Sequence, residues 1–400
     1  MILNVVIIAV IILAGALQFS PRFSRSTLWR ATITPLASII GSGFLVLAPI
    51  LVYAYGSKAP LVMGALVLGA YLFGSAIRFN ISIRSAPVSV YDYIAEKLEI
   101  GASWALALAF MISVTYYLNL FGAFGLSLTA FNSSQSAKLL SSVIFLIILA
   151  VGYMRGFSAL EKMEYTAVTF KLAIIAGLLV GLGYYCYAKA VSSTLVVHPP
   201  QLTGWAAITL AFGLIITVQG FETSRYLGDE YSAADRIKSM RLAQLVAAAI
   251  YMIYITLFAL SFEHEEFQLT ETAIIDVMGM VAPVLPWILV VGALAAQFSA
   301  AIADTSGSGG LIAELTRERI STRNAYVLLV IIGLTLTWSA DVFQIISYAS
   351  RAFALYYTLQ AAIAARIAFL LPDQRWRSLL FAVLVIFGLL IVGFGDAVEV

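Results

Sequence analysis

Three small residues, Gly41, Ser42 and Gly43, interrupt an apolar stretch that runs from about Leu28 to Tyr55, within Thr34-Pro-Leu-Ala-Ser-Ile-Ile-Gly-Ser-Gly-Phe-Leu-Val-Leu-Ala-Pro49. Glycine costs a helix interior roughly 1 kcal/mol against alanine, so two of them a residue apart mark a break. In hydrocarbon a broken helix strands backbone N–H and C=O groups. It is tolerated only where it is buried in protein or lines a cavity. Secondary transporters build solute sites from such mid-membrane breaks. Close packing of two helices through small residues is the other reading of this stretch.

The break sits in a chain that reads as mostly membrane-spanning. Hydrophobic residues make up 62% of the sequence and charged residues 11%, which excludes a soluble globular protein. A span needs about 20 apolar residues. On that measure the sequence predicts twelve, near 2–19, 28–55, 59–83, 101–131, 138–154, 165–188, 204–226, 239–261, 282–315, 324–340, 342–371 and 377–394. The first resembles a signal peptide at Ala14-Gly15-Ala16, but Arg22, Arg25 and Arg30 follow the apolar run instead of preceding it. That order predicts an uncleaved helix.

Basic residues in short loops set orientation. With loop 20–30 on the cytoplasmic side, alternate loops collect Arg78, Arg84, Lys97, Arg155, Lys162, Arg236, Lys238, Arg241, Arg317, Arg319, Arg323, Arg375 and Arg377. The opposite loops hold Lys58, Lys138 and Lys189 beside the acidic Glu263, Glu265, Glu266, Glu271 and Asp276. The expectation is an integral protein of a bacterial inner (plasma) membrane with both termini outside the cytoplasm.

A formal net charge of +2 gives no reason to expect nucleic acid, and the single Cys186 forbids an intrachain disulfide. Glu263-His264-Glu265-Glu266 reads better as a solvated acidic loop than as a metal site. There is no cysteine pair, phosphate-binding glycine loop or nucleophile elbow. The sequence therefore predicts neither an enzyme nor a cofactor, a sodium ion being the one candidate exception.

A second irregularity opens the second half of the chain. Thr217-Val-Gln-Gly-Phe-Glu-Thr-Ser-Arg225 places Gly220 among Gln219, Glu222, Thr223 and Ser224, with Glu222 near mid-depth. Ionisable residues inside a membrane are costly and are functional hypotheses by default; a structural pair with Arg225 one turn later is the alternative. Leaving aside the first and last spans, the two breaks fall on helices 1 and 6 of a ten-helix core. An odd number of spans per half forces the second half into inverted topology, the pattern of inverted-repeat transporters. The expected division is a leading helix and basic loop (1–27), a first repeat of core helices 1–5 (28–188), a second repeat of core helices 6–10 (189–371) and a trailing helix (372–400).

Ile40-Gly-Ser-Gly-Phe-Leu45 resembles the Gly-Ser-Gly motif of helix 1 in the amino acid–polyamine–organocation (APC) superfamily, which has the leucine-transporter fold. Gly220-Phe-Glu222, with the following Gly-Asp-Glu-Tyr-Ser-Ala-Ala-Asp-Arg-Ile-Lys-Ser-Met-Arg241, resembles that family's helix 6 and its loop. Thr169-Phe-Lys-Leu-Ala-Ile-Ile175 resembles its lysine-bearing helix 5, and Val88-Ser-Val-Tyr-Asp-Tyr-Ile94 the loop before its helix 3. The leading helix, and Ala303-Asp-Thr-Ser-Gly-Ser-Gly-Gly310 in core helix 8, resemble the sodium/solute symporters, which share the fold.

The resemblance implies an all-α membrane protein with a 5+5 inverted-repeat core and a solute held between the breaks. Gly41, Ser42, Gly43 and Phe44 would face a solute carboxylate with amide donors. Gly220, Phe221, Glu222 and Thr223 would offer carbonyls to an ammonium group. Tyr116 or Tyr117 would cover the solute, with ordinary packing the alternative for each. Arg351 lies roughly 13 Å inside its span, too deep for easy snorkelling, and its expected partner is an internal charge such as Glu222 or Asp341, or a solute anion.

Two arrangements compete for ion coupling. Lys171 and Asp304 lie at depths of ~10 and ~16 Å, on helices that approach each other beside helix 1 in the family fold, and are expected to be in contact. A lysine ammonium there would replace sodium and exchange protons. Alternatively, the Thr305 and Ser306 hydroxyls with carbonyls of Ala37, Ile40 and Ile302 would make a sodium site, Ser299 being nominated if the alignment shifts. The functional expectation is a secondary transporter of a small organic solute, most simply an amino acid or related zwitterion or anion, working by proton- or sodium-coupled alternating access. Its partners are the solute and the lipid bilayer. The alternative is a non-transporting membrane sensor or assembly subunit that keeps the fold and meets an accessory subunit.

Overall fold

Apolar segments in hydrocarbon satisfy their backbone groups within the segment, and the computed structural model answers with helices throughout. It describes residues 2–41, 43–85, 91–154, 164–228 and 230–398. Among these are fifteen α-helices and no strand. Ser42, Val88, Ser89, Val90, Arg155, Lys162 and Asp229, each used in the sequence reading, lie outside the described residues.

In chain order the helices are α1 (Ile2–Phe19), α2 (Pro21–Ser24), α3 (Thr27–Ile39), α4 (Gly43–Tyr55), α5 (Ala59–Arg84), α6 (Tyr93–Leu126), α7 (Ser134–Met154) and α8 (Glu164–Val191). They continue as α9 (Gly204–Gly213), α10 (Ala233–Ser261), α11 (Ala273–Val281), α12 (Leu285–Leu315), α13 (Thr322–Ser339), α14 (Val342–Leu370) and α15 (Arg375–Phe394). Among the described residues nine stretches are long and apolar enough to cross a membrane, one of them, Gly43–Arg84, being α4 and α5 run together. Compared with the twelve expected, that count leaves out α3, α9 and α13. The first two are short because their spans are interrupted. The third is 18 residues long and opens on polar Thr322, Arg323 and Asn324.

One boundary moves appreciably. The sequence reading starts core helix 3 near residue 101, whereas α6 starts at Tyr93. Asp92 explains the difference: its carboxylate accepts from the Ala95 N–H at 2.9 Å, satisfying a donor that a helix start leaves open. The extra turns carry Glu96, Lys97 and Glu99, so hydropathy alone misses them.

The core forms around two long helices. α6 packs along α12 and α14, and α10 packs along α3 and α5, while α15 lies on α14. α1 stands at the perimeter with only Ile7 buried. It docks on α8, where Gly177 and Gly181 leave room for Ile11 and Ile7; a Cβ at these glycines would come within 2.6 and 3.0 Å of those side chains. Small residues that let helices approach closely are the usual device for association in lipid.

Candidate functional site

Both predicted breaks are present and they face each other. α3 stops at Ile39, its cap Ile40 leaves the helical region at φ −87°, ψ 58°, and α4 begins at Gly43. α9 stops at Gly213 and is followed by a 3₁₀ turn over Ile215–Val218, an extended Gln219, and Gly220 at φ 113°. A second 3₁₀ turn, Phe221–Tyr226, leads out. The φ of Gly220 lies where side-chain-bearing residues are strained. Space points the same way, since a Cβ there would lie 2.6 Å from the Ser38 carbonyl carbon. At Gly43 a Cβ would lie 3.0 Å from the Thr217 Cα. The two broken segments therefore meet backbone against backbone.

A helix end leaves its last carbonyls without intrahelical partners, and this site answers them with side chains from neighbouring helices. Lys171 of α8 donates to the Ala37 carbonyl at 2.7 Å, a cation at a helix C-terminus where the dipole favours it. The Tyr251 hydroxyl of α10 is shared between the Ile39 carbonyl at 3.0 Å and the Thr217 carbonyl at 2.6 Å, bridging the two breaks. Ser350 of α14 donates to the Gly213 carbonyl at 2.6 Å and accepts from the Ile216 N–H at 3.1 Å.

Glu222 occupies the second break itself. It is 1% exposed. Its Oε2 accepts from the Gly220 N–H at 3.0 Å and from the Tyr357 hydroxyl at 2.8 Å, while Oε1 has no hydrogen-bond partner among the described residues. Phe221 stacks on the Tyr357 ring at 5.0 Å, and Phe44 on that of Tyr254 at 4.4 Å. Gln219 donates to the Tyr117 hydroxyl at 3.3 Å and its carbonyl oxygen is unpartnered. Thr223 folds back to the Gly220 carbonyl at 2.8 Å. Tyr116 is buried beside Tyr117, with ring centroids 5.6 Å apart.

A family model described as APC superfamily transporter matches residues 21–395. The chain belongs to the APC superfamily of transporters. It is also 43% identical, over 388 residues, to an uncharacterized protein of Aquifex aeolicus (strain VF5), covering 95% of this chain and 94% of that relative.

Several charges of this APC transporter are partnered differently from the sequence expectation. Lys171 and Asp304 do not form an ion pair: Lys171 reaches the α3 carbonyl, whereas Asp304 accepts from Ser113 of α6. Similar depth placed them at one level, but depth does not fix the direction in which a side chain leaves its helix. Glu222 and Arg225 do not pair either. Arg225 is bound to Glu99 of α6 and to Gln360 of α14, while Glu222 folds back onto the Gly220 N–H and the Tyr357 hydroxyl. Arg351 has no carboxylate partner among the described residues; its Nε donates to the Gly395 carbonyl at 2.6 Å.

Of the alternative ion ligands, Thr305 is buried and donates to its own helix at Ala301, 2.6 Å. Ile40 and Ile302 are buried, and Ser306 lies on the next position of α12. Gln297 is a polar residue the sequence reading passed over. It is fully buried, its amide atoms have no hydrogen-bond partner among the described residues, and with Lys171 and Gly41 it lines a cavity of about 30 Å³. That is room for about one water.

Proposed function

We propose that this APC transporter is a secondary active carrier of a small amine-bearing solute, most simply an amino acid, that works by alternating access around the two breaks. The observation that carries this reading is the buried Glu222 carboxylate at the meeting point of α3–α4 and the Gly220 turn, with one oxygen unpartnered. An uncompensated charge away from water costs several kcal/mol, and a solute ammonium would offset it. The amides at Gly43 and Phe44 are the candidate partners of the solute carboxylate, and Phe221 and Tyr116 its aromatic cover.

In this reading residues 28–188 and 189–371 are inverted repeats of the leucine-transporter type. The loops rich in arginine face the cytoplasm of a bacterial cell, and the two ends of the chain lie outside. Coupling goes to protons through Lys171. Its ammonium already lies on the Ala37 carbonyl, which the rival sodium site at Thr305 and Ser306 would need, and two cations repel within one small site.

A thermal-shift screen of amino acids and organic acids on the purified protein tests the substrate class. Amino acids are expected to raise the unfolding midpoint, and Glu222→Gln to shift that rise to at least about tenfold higher solute concentration. Stabilisation only by acids that lack an amine would overturn the reading. Uptake into proteoliposomes separates the transporter from the non-transporting sensor.

A further inference from the structure

We propose that Gly395–Val398, the segment that follows α15, is a lid over the solute path at the poorly basic end of the protein, and that Arg351 holds it down. The inference rests on the solute path proposed above. It adds a part of the molecule for which neither the breaks nor the family assignment gives a role.

The segment is bonded on two sides. The Gly395 carbonyl accepts from Arg351 Nε at 2.6 Å and from the Ser347 hydroxyl at 3.2 Å, two positions one turn apart on α14. The next N–H, that of Asp396, donates to the Thr209 carbonyl of α9 at 2.9 Å. Gly213, at the end of α9, touches the Asp396 backbone so closely that no side chain fits there. The segment therefore staples the outer half of the second broken helix to α14.

Its position is that of a roof. Ala397 and Val398 line a small apolar space together with Ile50 of α4, Leu214 at the second break, and Phe343 and Ile346 of α14. Over the same segment, Arg351, Lys138, Asp341 and Asp396 line a cavity of about 700 Å³. On the proposed path a solute reaches the breaks from this end between α4, α9 and α14, and that is the seam the segment covers. Opening the seam means parting α9 from α14, and that breaks the segment's bonds to one of the two helices together with those of Ser350.

The anchor suits a lid that lifts. Arg351 holds a neutral carbonyl, which is a charge-assisted hydrogen bond without the attraction of an opposite charge. Released, the guanidinium stays at the edge of a polar cavity and is not stranded in hydrocarbon.

The test uses a reporter thiol under the lid: Ile50→Cys in a Cys186→Ala background, in sealed membrane vesicles, with a charged methanethiosulfonate reagent applied from each face in turn. Labelling from the poorly basic face is expected to be slow in this parent. It should be at least about tenfold faster when Arg351→Ala and Ser347→Ala are combined, tenfold being 1.4 kcal/mol. Arg351→Lys keeps a donor and should stay near the parent rate. Asp396→Pro removes the N–H bound to Thr209 together with the carboxylate that accepts from the Ala397 N–H, and the Gly395 backbone, φ −59° and ψ 123°, already suits a following proline. It should accelerate labelling as well, and it carries the test should the double variant fail to fold. Rapid labelling of the parent, or slow labelling in every folded variant, would overturn the proposal. No solute is involved, so a failed solute screen and a failed lid are told apart.

Discussion

Glu222 has its charge answered by hydrogen-bond donors alone. Its Oε2 takes the Gly220 N–H and the Tyr357 O–H, and glutamine in its place keeps an acceptor for both. Glu222→Gln is therefore expected to leave the unfolding midpoint of the solute-free protein level or higher, while weakening amino-acid binding at least about tenfold, the scale of one charge-assisted hydrogen bond. Titrating the midpoint against solute concentration reads both effects. A lower midpoint with unchanged affinity would make Glu222 a structural residue. Gly43→Leu acts through volume: its side chain would enter the space of the Thr217 backbone, 3.0 Å from a bare Cβ, so amino-acid stabilisation should vanish while the protein remains extractable. Tyr251→Phe leaves the Thr217 and Ile39 carbonyls buried without their shared donor, at a cost of about 1–3 kcal/mol, visible as a lower unfolding midpoint. The glycines and Glu222 were legible in the sequence because each is anomalous within its own apolar run. Tyr251, Tyr357 and Ser113 were not, because a hydroxyl in an apolar helix gives no local sign of which distant carbonyl or carboxylate it will meet.

Among the elements, α6 shows where hydropathy misleads and capping informs. The helix is set not by its first apolar residue but by Asp92, which caps it and also meets Arg366 of α14 at 2.7 Å. The Ala95 N–H, and after it the Arg366 guanidinium, hold the Asp92 carboxyl below its ordinary range. A carboxyl lowered by folding contributes stability that is present above its unfolded pKa, about 3.9, and is lost as the pH falls through the folded value. Asp92→Asn should therefore lower the unfolding midpoint at pH 6, and the difference from the parent should shrink below about pH 4. A difference that stays constant across that range would show that the charge of Asp92 plays no part. The pairing with Arg366 was not legible, since 274 positions separate the partners. The cap went unread with it, although aspartate directly before a helical pattern is a start signal.

At the scale of the whole molecule, all twelve expected spans fall on a helix or a broken helix in chain order, because period and length need no tertiary information. How the charges pair across that bundle needs all of it. The coupling ion is the sharpest case. Lys171 on α8 reaches across to the Ala37 carbonyl at the broken end of α3, so any movement of α3 against α8 pulls the ammonium off its acceptor. In the proton-coupled reading that contact is what ties the lysine to movement of the broken helix. If that is the coupling, the rise in unfolding midpoint caused by an amino acid should be the same in sodium and in potassium at constant ionic strength. Lys171→Ala should bind solute without the parent's pH dependence. If Thr305 and Ser306 instead hold sodium, that ion needs the Ala37 carbonyl, the lysine must swing away, and sodium should strengthen solute binding in the parent. Thr305→Val, which keeps the side-chain volume and removes the oxygen, would then erase the sodium effect. The Ala37 contact favours the proton, and a sodium-dependent rise in solute affinity is the result that would overturn it.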